Sequence, residues 1–206
     1  HQPNISLEKR MQHYHLPFQT VPTRSDDVCL IAFTSGTTGV PKASMHFHRD
    51  LIAICDSFPK SILQTTAQDI FIATSPLAFT FGLGASLLFP LRVGSSVVLL
   101  AQATPAKLLE AIHQFKATIC FSVPTFYRQV IHFLTNDNNE LNQINKLASL
   151  QKSVSAGEFL SIETREKWKS ATGLDMIDGL GTTELLHIFI SAAGNDIRAG
   201  ATGNVI

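Results

Sequence analysis

The sequence predicts an α/β fold in which layers of parallel or mixed sheet are flanked by helices. Three observations lead there. Apolar runs of strand length alternate along the chain with stretches of helical periodicity. With 45% hydrophobic and 16% charged residues, a chain of 206 residues can bury a substantial core. The sequence holds no internal repeat and no low-complexity tract that would point to a solenoid or a disordered segment.

Residues 1–25 are polar and punctuated by proline, and read as a lead-in segment ahead of the domain that occupies residues 26–206. Val28 to Phe33 reads as a buried strand. A Gly/Ser/Thr loop follows from Thr34 to Lys42, then a second strand from Ala43 to Phe47. Asp50 to Leu63 is a helix that Pro59 ends or kinks. Asp69 to Ala73 and Ser96 to Leu100 are strands, with a glycine-containing helical stretch between them.

Thr104-Pro105 starts a helix, a hydroxyl N-cap followed by proline in the first turn. Leu108, Leu109, Ile112 and Phe115 give that helix one apolar face. Thr118 to Val123 is β-branched and aromatic, hence a strand, and Pro124 breaks it ahead of a helix from Thr125 to Leu134. Thr135 to Lys146 is rich in Asn and is the most loop-like stretch. A strand to Ser155, a helix from Ser161 to Ala171 and a strand from Leu174 to Ile177 complete the run. Strands separated by helices predict parallel pairing through crossovers, with ligands at the carboxyl ends of the strands.

Lys+Arg and Asp+Glu both number 16, so no basic field argues for nucleic acid or an anionic membrane. The most apolar stretch, Leu77 to Leu91, is broken by Gly82, Gly84 and Pro90 and is too short to span a bilayer. Cys29, Cys55 and Cys120 are scattered and odd in number, which predicts reduced thiols and a cytoplasmic location. His13-x-His15 and His46-x-His48 would share a strand face if those segments are strands. Two histidines without a third ligand are not a zinc site. The chain opens without Met and stops at Asn204-Val205-Ile206, and reads as an excised segment.

The richest chemistry lies in Thr34-Ser35-Gly36-Thr37-Thr38-Gly39-Val40-Pro41-Lys42. Glycines let backbone N–H groups approach an anion, hydroxyls add donors, and lysine adds a mobile positive charge. This is a phosphate cradle by composition, and a flexible polar turn is the plainer reading. It is not a Walker A loop, because the Gly-x4-Gly-Lys spacing is absent.

The string resembles the signature loop of the adenylate-forming (ANL) superfamily of acyl-CoA synthetases, adenylation domains and luciferases, with Ala43 where the family commonly has Gly. Further phrases of that family follow in order. His48-Arg49-Asp50 resembles the start of the helix after the loop, and Ser155-Ala156-Gly157-Glu158 the turn that frames adenine. Asp178-Gly179-Leu180-Gly181-Thr182-Thr183-Glu184 resembles the motif written Tyr-Gly-x-Thr-Glu, with Leu180 in the aromatic position. Gly200-Ala201-Thr202-Gly203 resembles the turn that opens the next stretch.

The resemblance implies part of the large N-terminal domain of an AMP-forming acid–CoA ligase. Thr34, Ser35, Gly36, Thr37, Thr38, Gly39 and Lys42 would handle the ATP phosphates. Ala156, Gly157, Glu158, Asp178, Gly179 and Leu180 would frame the base, Thr183 would meet the α-phosphate, and Glu184 would hold Mg²⁺. Lys42, Thr183 and Glu184 are thereby the expected catalytic residues.

Ala78-Phe79-Thr80-Phe81-Gly82-Leu83-Gly84 and Leu185-Leu186-His187-Ile188-Phe189 resemble the acyl pocket of benzoate- and 2-aminobenzoate-CoA ligases in particular. Thr80, Phe81, Gly181, His187 and Ile188 would line it. Phe81 would offer an aromatic face, Gly181 space, and His187 a hydrogen bond. Ordinary core is the plainer reading of Phe79, Phe81 and His187.

The implied partners are ATP, an aryl carboxylic acid and coenzyme A, with homo-oligomerisation open for the full-length enzyme. The family's C-terminal domain, with its adenylation lysine, would lie beyond Ile206. The segment alone is therefore expected to bind nucleotide weakly and to turn over poorly. Two other readings stand beside this one: an adenylation domain that loads a carrier protein, and a nucleotide-binding module without catalysis.

Overall fold

The computed structural model describes residues 6–12, 17, 19–34, 41–136, 140–198 and 200–206. A short helix α1 (Leu7–Met11) lies in the polar lead-in. Strands β1 (Val28–Thr34) and β2 (Lys42–Phe47) then pair antiparallel as a separate two-stranded sheet. The connection between them is too short for a crossover and long enough only for a hairpin.

Helix α2 (His48–Asp56) begins directly at the end of β2, and the Asp50 carboxylate accepts a hydrogen bond from the Phe47 N–H at 2.8 Å. His46 therefore lies on a strand while His48 opens a helix, and the two do not share a strand face. The helix expected over Asp50 to Leu63 is interrupted as Pro59 foretold. It closes at Asp56, and a single wide turn runs from Pro59 to Leu63.

The main sheet has seven strands. They begin with β3 (Ile70–Ala73), followed by a helical run of α3 (Thr80–Leu83), a wide turn (Gly84–Leu88) and α4 (Phe89–Val93). Next come β4 (Ser96–Val98), α5 (Pro105–Phe115), β5 (Ile119–Ser122) and α6 (Pro124–Asn136). A helix α7 (Glu140–Asn145) occupies part of the stretch expected to be loop. Then follow β6 (Lys152–Ala156), α8 (Ile162–Thr172), β7 (Met176–Gly181), β8 (Ile188–Ser191) and β9 (Asn204–Val205).

The order across the sheet is β4-β3-β5-β6-β7-β8-β9. The first five are parallel and the last two antiparallel. Helix ends follow the local chemistry of the chain. Thr104 caps α5 by accepting from the Lys107 N–H at 3.3 Å, and Ser161 caps α8 by accepting from the Thr164 N–H at 3.2 Å. Gly173 closes α8 at φ +75°, a left-handed conformation that suits a residue without Cβ.

Alternate residues of the parallel strands feed two cores. Ile72, Cys120 and Met176 pack with α5, α6 and α8, around fully buried Trp168 and Tyr127. Phe71, Phe121, Val154 and Ile177 face the other way, against Phe58 and Phe89. The Phe121 ring stacks on Phe71 at 6.0 Å and meets Phe58 and Phe81 edge-on at 6.4 and 5.8 Å. Through Phe81 this second core continues to the carboxyl ends of the strands. Among the described residues no helix is long and apolar enough to cross a membrane.

Candidate functional site

Two adjoining clefts open at the carboxyl ends of the parallel strands, where such sheets bind ligands. The larger, about 590 Å³, lies between β1, the segment after β3, the start of α3, and the turns that follow β6 and β7. Thr80, Phe81, Gly181, His187 and Ile188 all line it, with Thr183 at its edge. The smaller, about 390 Å³, is bounded by Gly157 and Glu158 on one side, by Asp178, Gly179 and Leu180 on another, and by Gly200 to Thr202. Gly157 and Gly181 belong to both walls, so the two clefts share a border.

His187 is held between β7 and β8 by a tight turn. The Leu185 N–H donates to Thr182 Oγ1 at 3.1 Å, the Leu186 N–H to Thr183 O, and Leu186 takes a left-handed φ of 68°. The imidazole is buried against Phe89, Phe81 and Phe58, with ring centroids at 4.5, 5.4 and 6.0 Å. Its Nε2 lies 3.3 Å from the Phe81 carbonyl. A carbonyl can only accept, so Nε2 carries the proton and Nδ1, buried and without a partner, keeps its lone pair. Burial pushes the His187 pKa down to about 3.

The unfolded chain takes up a proton at His187 below about pH 6.5, while the folded chain refuses it down to about pH 3. Stability from this group is therefore present in full above pH 6.5 and is lost as pH falls toward 3. Denaturation midpoints measured from pH 7.5 to 4 are expected to fall less steeply in a His187→Asn variant than in the parent. Equal slopes would remove His187 from that account.

Glycines shape both walls. A Cβ on Gly181 would stand 2.7 Å from His187 O, and one on Gly84 2.5 Å from His187 Cδ2. A Cβ on Gly179 would meet Ile188 Cδ1 at 2.4 Å. The close approach of β7 to β8, which sets Ile188 and His187 at the cleft, thus requires glycine at 179 and 181, and the packing of the turn after α3 on the His187 ring requires it at 84.

Glu158 borders the smaller cleft, yet its carboxylate is engaged elsewhere. It accepts hydrogen bonds from the Thr125 N–H at 2.9 Å and from the Thr125 hydroxyl at the start of α6. What it offers the cleft is therefore chiefly backbone. Asp178 Oδ2 accepts from Thr202 Oγ1 at 3.3 Å, and burial raises the Asp178 pKa against the opposing pull of the Arg165 charge. Leu180 is 48% exposed and forms an aliphatic wall.

Thr34 ends β1 directly opposite Lys42, the first residue of β2, whose side chain is exposed. Lys42 makes no ion pair among the described residues. Ser35, Gly36, Thr37, Thr38 and Gly39 lie outside the described residues. Glu184 is exposed in the turn after β7 and lines neither cleft. No group of three or more His, Cys, Asp or Glu among the described residues could hold a metal ion by itself. A hard cation that takes one carboxylate and completes its shell with phosphate oxygens and water is compatible with a lone Glu184.

Several lining residues were not predicted from the sequence, among them Phe159, Ser75, Phe126 and one charged side chain. Arg165 belongs to the face of α8 that also buries Thr164 and Trp168, and it reaches the smaller cleft. The signal was available: an arginine three residues before a tryptophan falls on the same helical stripe.

Comparison with known proteins follows this geometry. A family model described as AMP-binding enzyme matches residues 2–206. The benzoate–CoA ligase of Thauera aromatica is 36% identical over 190 residues, covering 92% of this chain and 35% of the relative. The crystal structure of the anthranilate CoA ligase AuaEII in complex with anthranoyl-AMP matches with a TM-score of 0.81 at 37% identity, over 92% of this chain and 36% of that one. A benzoate CoA ligase from Burkholderia xenovorans matches with a TM-score of 0.84 at 27% identity, over 97% and 39%. The chain thus spans little more than a third of the length of these relatives.

Proposed function

The chain belongs to the AMP-binding enzyme family, and from that premise we propose that its parent enzyme activates an aromatic carboxylic acid of benzoate or 2-aminobenzoate type with ATP and passes it to coenzyme A. The observation that carries this reading is the larger cleft. It has an aromatic wall at Phe81, room above Gly181 and a neutral imidazole at its base, and it shares a border with a second cleft framed by backbone and Leu180. A flat ring fits the first and a nucleotide base the second, and the carboxylate and the α-phosphate would meet near Gly181 and Thr183. The chain's relatives, a benzoate–CoA ligase and an anthranilate CoA ligase in complex with anthranoyl-AMP, support the same substrate class.

In the first half-reaction a carboxylate oxygen attacks the α-phosphorus, the bond to the β,γ-pyrophosphate breaks, and an acyl-adenylate remains. In the second, the coenzyme A thiol forms the thioester and AMP leaves. The substrate supplies its own nucleophile, so the protein's share is positioning and charge neutralisation. Thr34 and the 35–39 segment would hold the phosphates, Lys42 would offset charge building on them, and Thr183 would orient the α-phosphate. Mg²⁺, held by Glu184 together with phosphate oxygens, would neutralise the pyrophosphate as it departs. Residues 26–206 would be part of the large N-terminal domain of a cytoplasmic enzyme.

Pyrophosphate release by the full-length parent, with ATP, Mg²⁺ and a panel of acids with and without coenzyme A, tests the proposal. Benzoate, 2-aminobenzoate and hydroxybenzoates are expected to lead, with thioester appearing only when coenzyme A is present. If medium-chain fatty acids or amino acids lead, the pocket assignment fails. Stable adenylate that coenzyme A does not discharge would favour a carrier protein as acceptor.

A further inference from the structure

Arg165 brings a positive charge to the wall of the smaller cleft. Its residue is 9% exposed, within the face of α8 that packs on the sheet. One guanidinium N–H group, on Nη1, donates to the Met176 carbonyl at the start of β7. Among the described residues the guanidinium makes no other hydrogen bond and no ion pair, and Asp178, the nearest carboxylate to feel its charge, is bonded to Thr202 instead. No guanidinium nitrogen is among the buried polar atoms left without a partner, so the N–H groups not used by the protein are open to the cleft and available to a ligand that brings acceptors. Arg165 lines the 390 Å³ cleft, which lies between the backbone of Gly157 and the side of Leu180.

We propose that Arg165 is a base-recognition residue, whose unused guanidinium N–H groups donate to a ring nitrogen of the adenine seated in the smaller cleft. The proposal rests on the reading of that cleft as the nucleotide site. A ring nitrogen is an acceptor aimed in the plane of the base, and a planar guanidinium that lines the cleft can meet it edge to edge. The bond to the β7 carbonyl restrains the guanidinium, which lowers the ordering cost of its remaining donors when nucleotide arrives. Leu180 stacks without reading the base edge, because an aliphatic side chain carries no donor or acceptor. The edge must be read by something else, and Arg165 is the charged donor on that wall.

Equilibrium binding of ATP to the full-length parent, measured by calorimetry without acid, tests this apart from turnover. Arg165→Met is expected to raise the Kd for ATP about tenfold, the scale of one lost hydrogen bond from a charged donor, while Arg165→Lys recovers part of it. In the parent, either 1-deaza-ATP or 7-deaza-ATP is expected to bind about tenfold more weakly than ATP, and that penalty should vanish in Arg165→Met. Both deaza analogues binding the parent as tightly as ATP would overturn the proposal, as would an undiminished penalty in a folded variant. The parent-only arm holds even where the variant does not fold. Nucleotide binding that depends on Arg165, without pyrophosphate release on any acid, would uphold Arg165 and sink the proposed reaction instead. Absence of nucleotide binding by the parent would overturn both.

Discussion

Replacing Lys42 by alanine in the full-length parent is expected to lower the rate of acyl-adenylate formation about a hundred- to a thousandfold, the usual loss when one preorganised charge or donor is taken from a transition state. The expectation follows from where the residue stands. Lys42 opens β2 directly opposite Thr34, so the hairpin ladder pins its backbone at the mouth of the 35–40 segment. Its side chain is exposed and makes no ion pair among the described residues, so no carboxylate competes for it. Charge on the phosphates grows as the α-phosphorus is attacked, so the ammonium should act more in the transition state than in the ground state. The signature is a fall in kcat with little change in the KM for the acid, measured by pyrophosphate release. A rise in the KM for ATP at unchanged kcat would mean that Lys42 binds ground state and transition state equally, and would overturn the expectation. Arginine is not expected to rescue, since a planar fork does not reproduce a compact mobile ammonium.

Local chemistry made much of this fold legible. Thr104-Pro105 and Ser161 mark helix starts whose caps are present in the structure, and β5 lies within the stretch Thr118 to Val123 whose β-branched and aromatic residues imply a strand. Long-range pairing was harder to read. Val28–Thr34 and Lys42–Phe47 have strand composition whichever way they pair, and only the short connection between them dictates a hairpin. The antiparallel extension β8–β9 is made of very short strands, too short for their composition to announce them. Helix α7 is built from Asn and Gln, whose weak helical preference hides it in a loop-like stretch.

The candidate site divides along the same line. Phe81 and His187 are 106 residues apart and meet through one hydrogen bond. No periodicity predicts that meeting, and only the family resemblance implies it. Arg165 shows the opposite case. Resemblance to motifs passed over it, while helical spacing from Trp168 would have put it on the buried stripe.

That stripe sets the largest stability effect expected here. Trp168 is fully buried, its ring meets Tyr127 edge-on at 4.7 Å, and its Nε1 donates to Ser153 Oγ at 3.1 Å. The Tyr127 hydroxyl in turn donates to the Cys120 and Val154 carbonyls at 3.1 Å each, tying α6 to the two central strands. Trp168→Ala removes the ring between α8 and the sheet and strands a buried serine hydroxyl as well. It is expected to cost about 3–5 kcal/mol, enough to lower the melting temperature by roughly 6–20 °C for a chain of this size.

Trp168→Phe keeps most of the packing and loses the indole N–H, so its cost should be closer to about 1–3 kcal/mol, that of one orphaned buried group. Denaturant titration of both variants checks the pair, and equal costs would mean that the hydrogen bond rather than the ring holds α8. The consequence reaches the cleft, because Arg165 stands on the same helix three residues away. Trp168→Phe should leave ATP affinity near that of the parent while stability falls. Arg165→Met should do the reverse. If the two variants instead lose affinity in proportion to stability, Arg165 serves only to seat the helix.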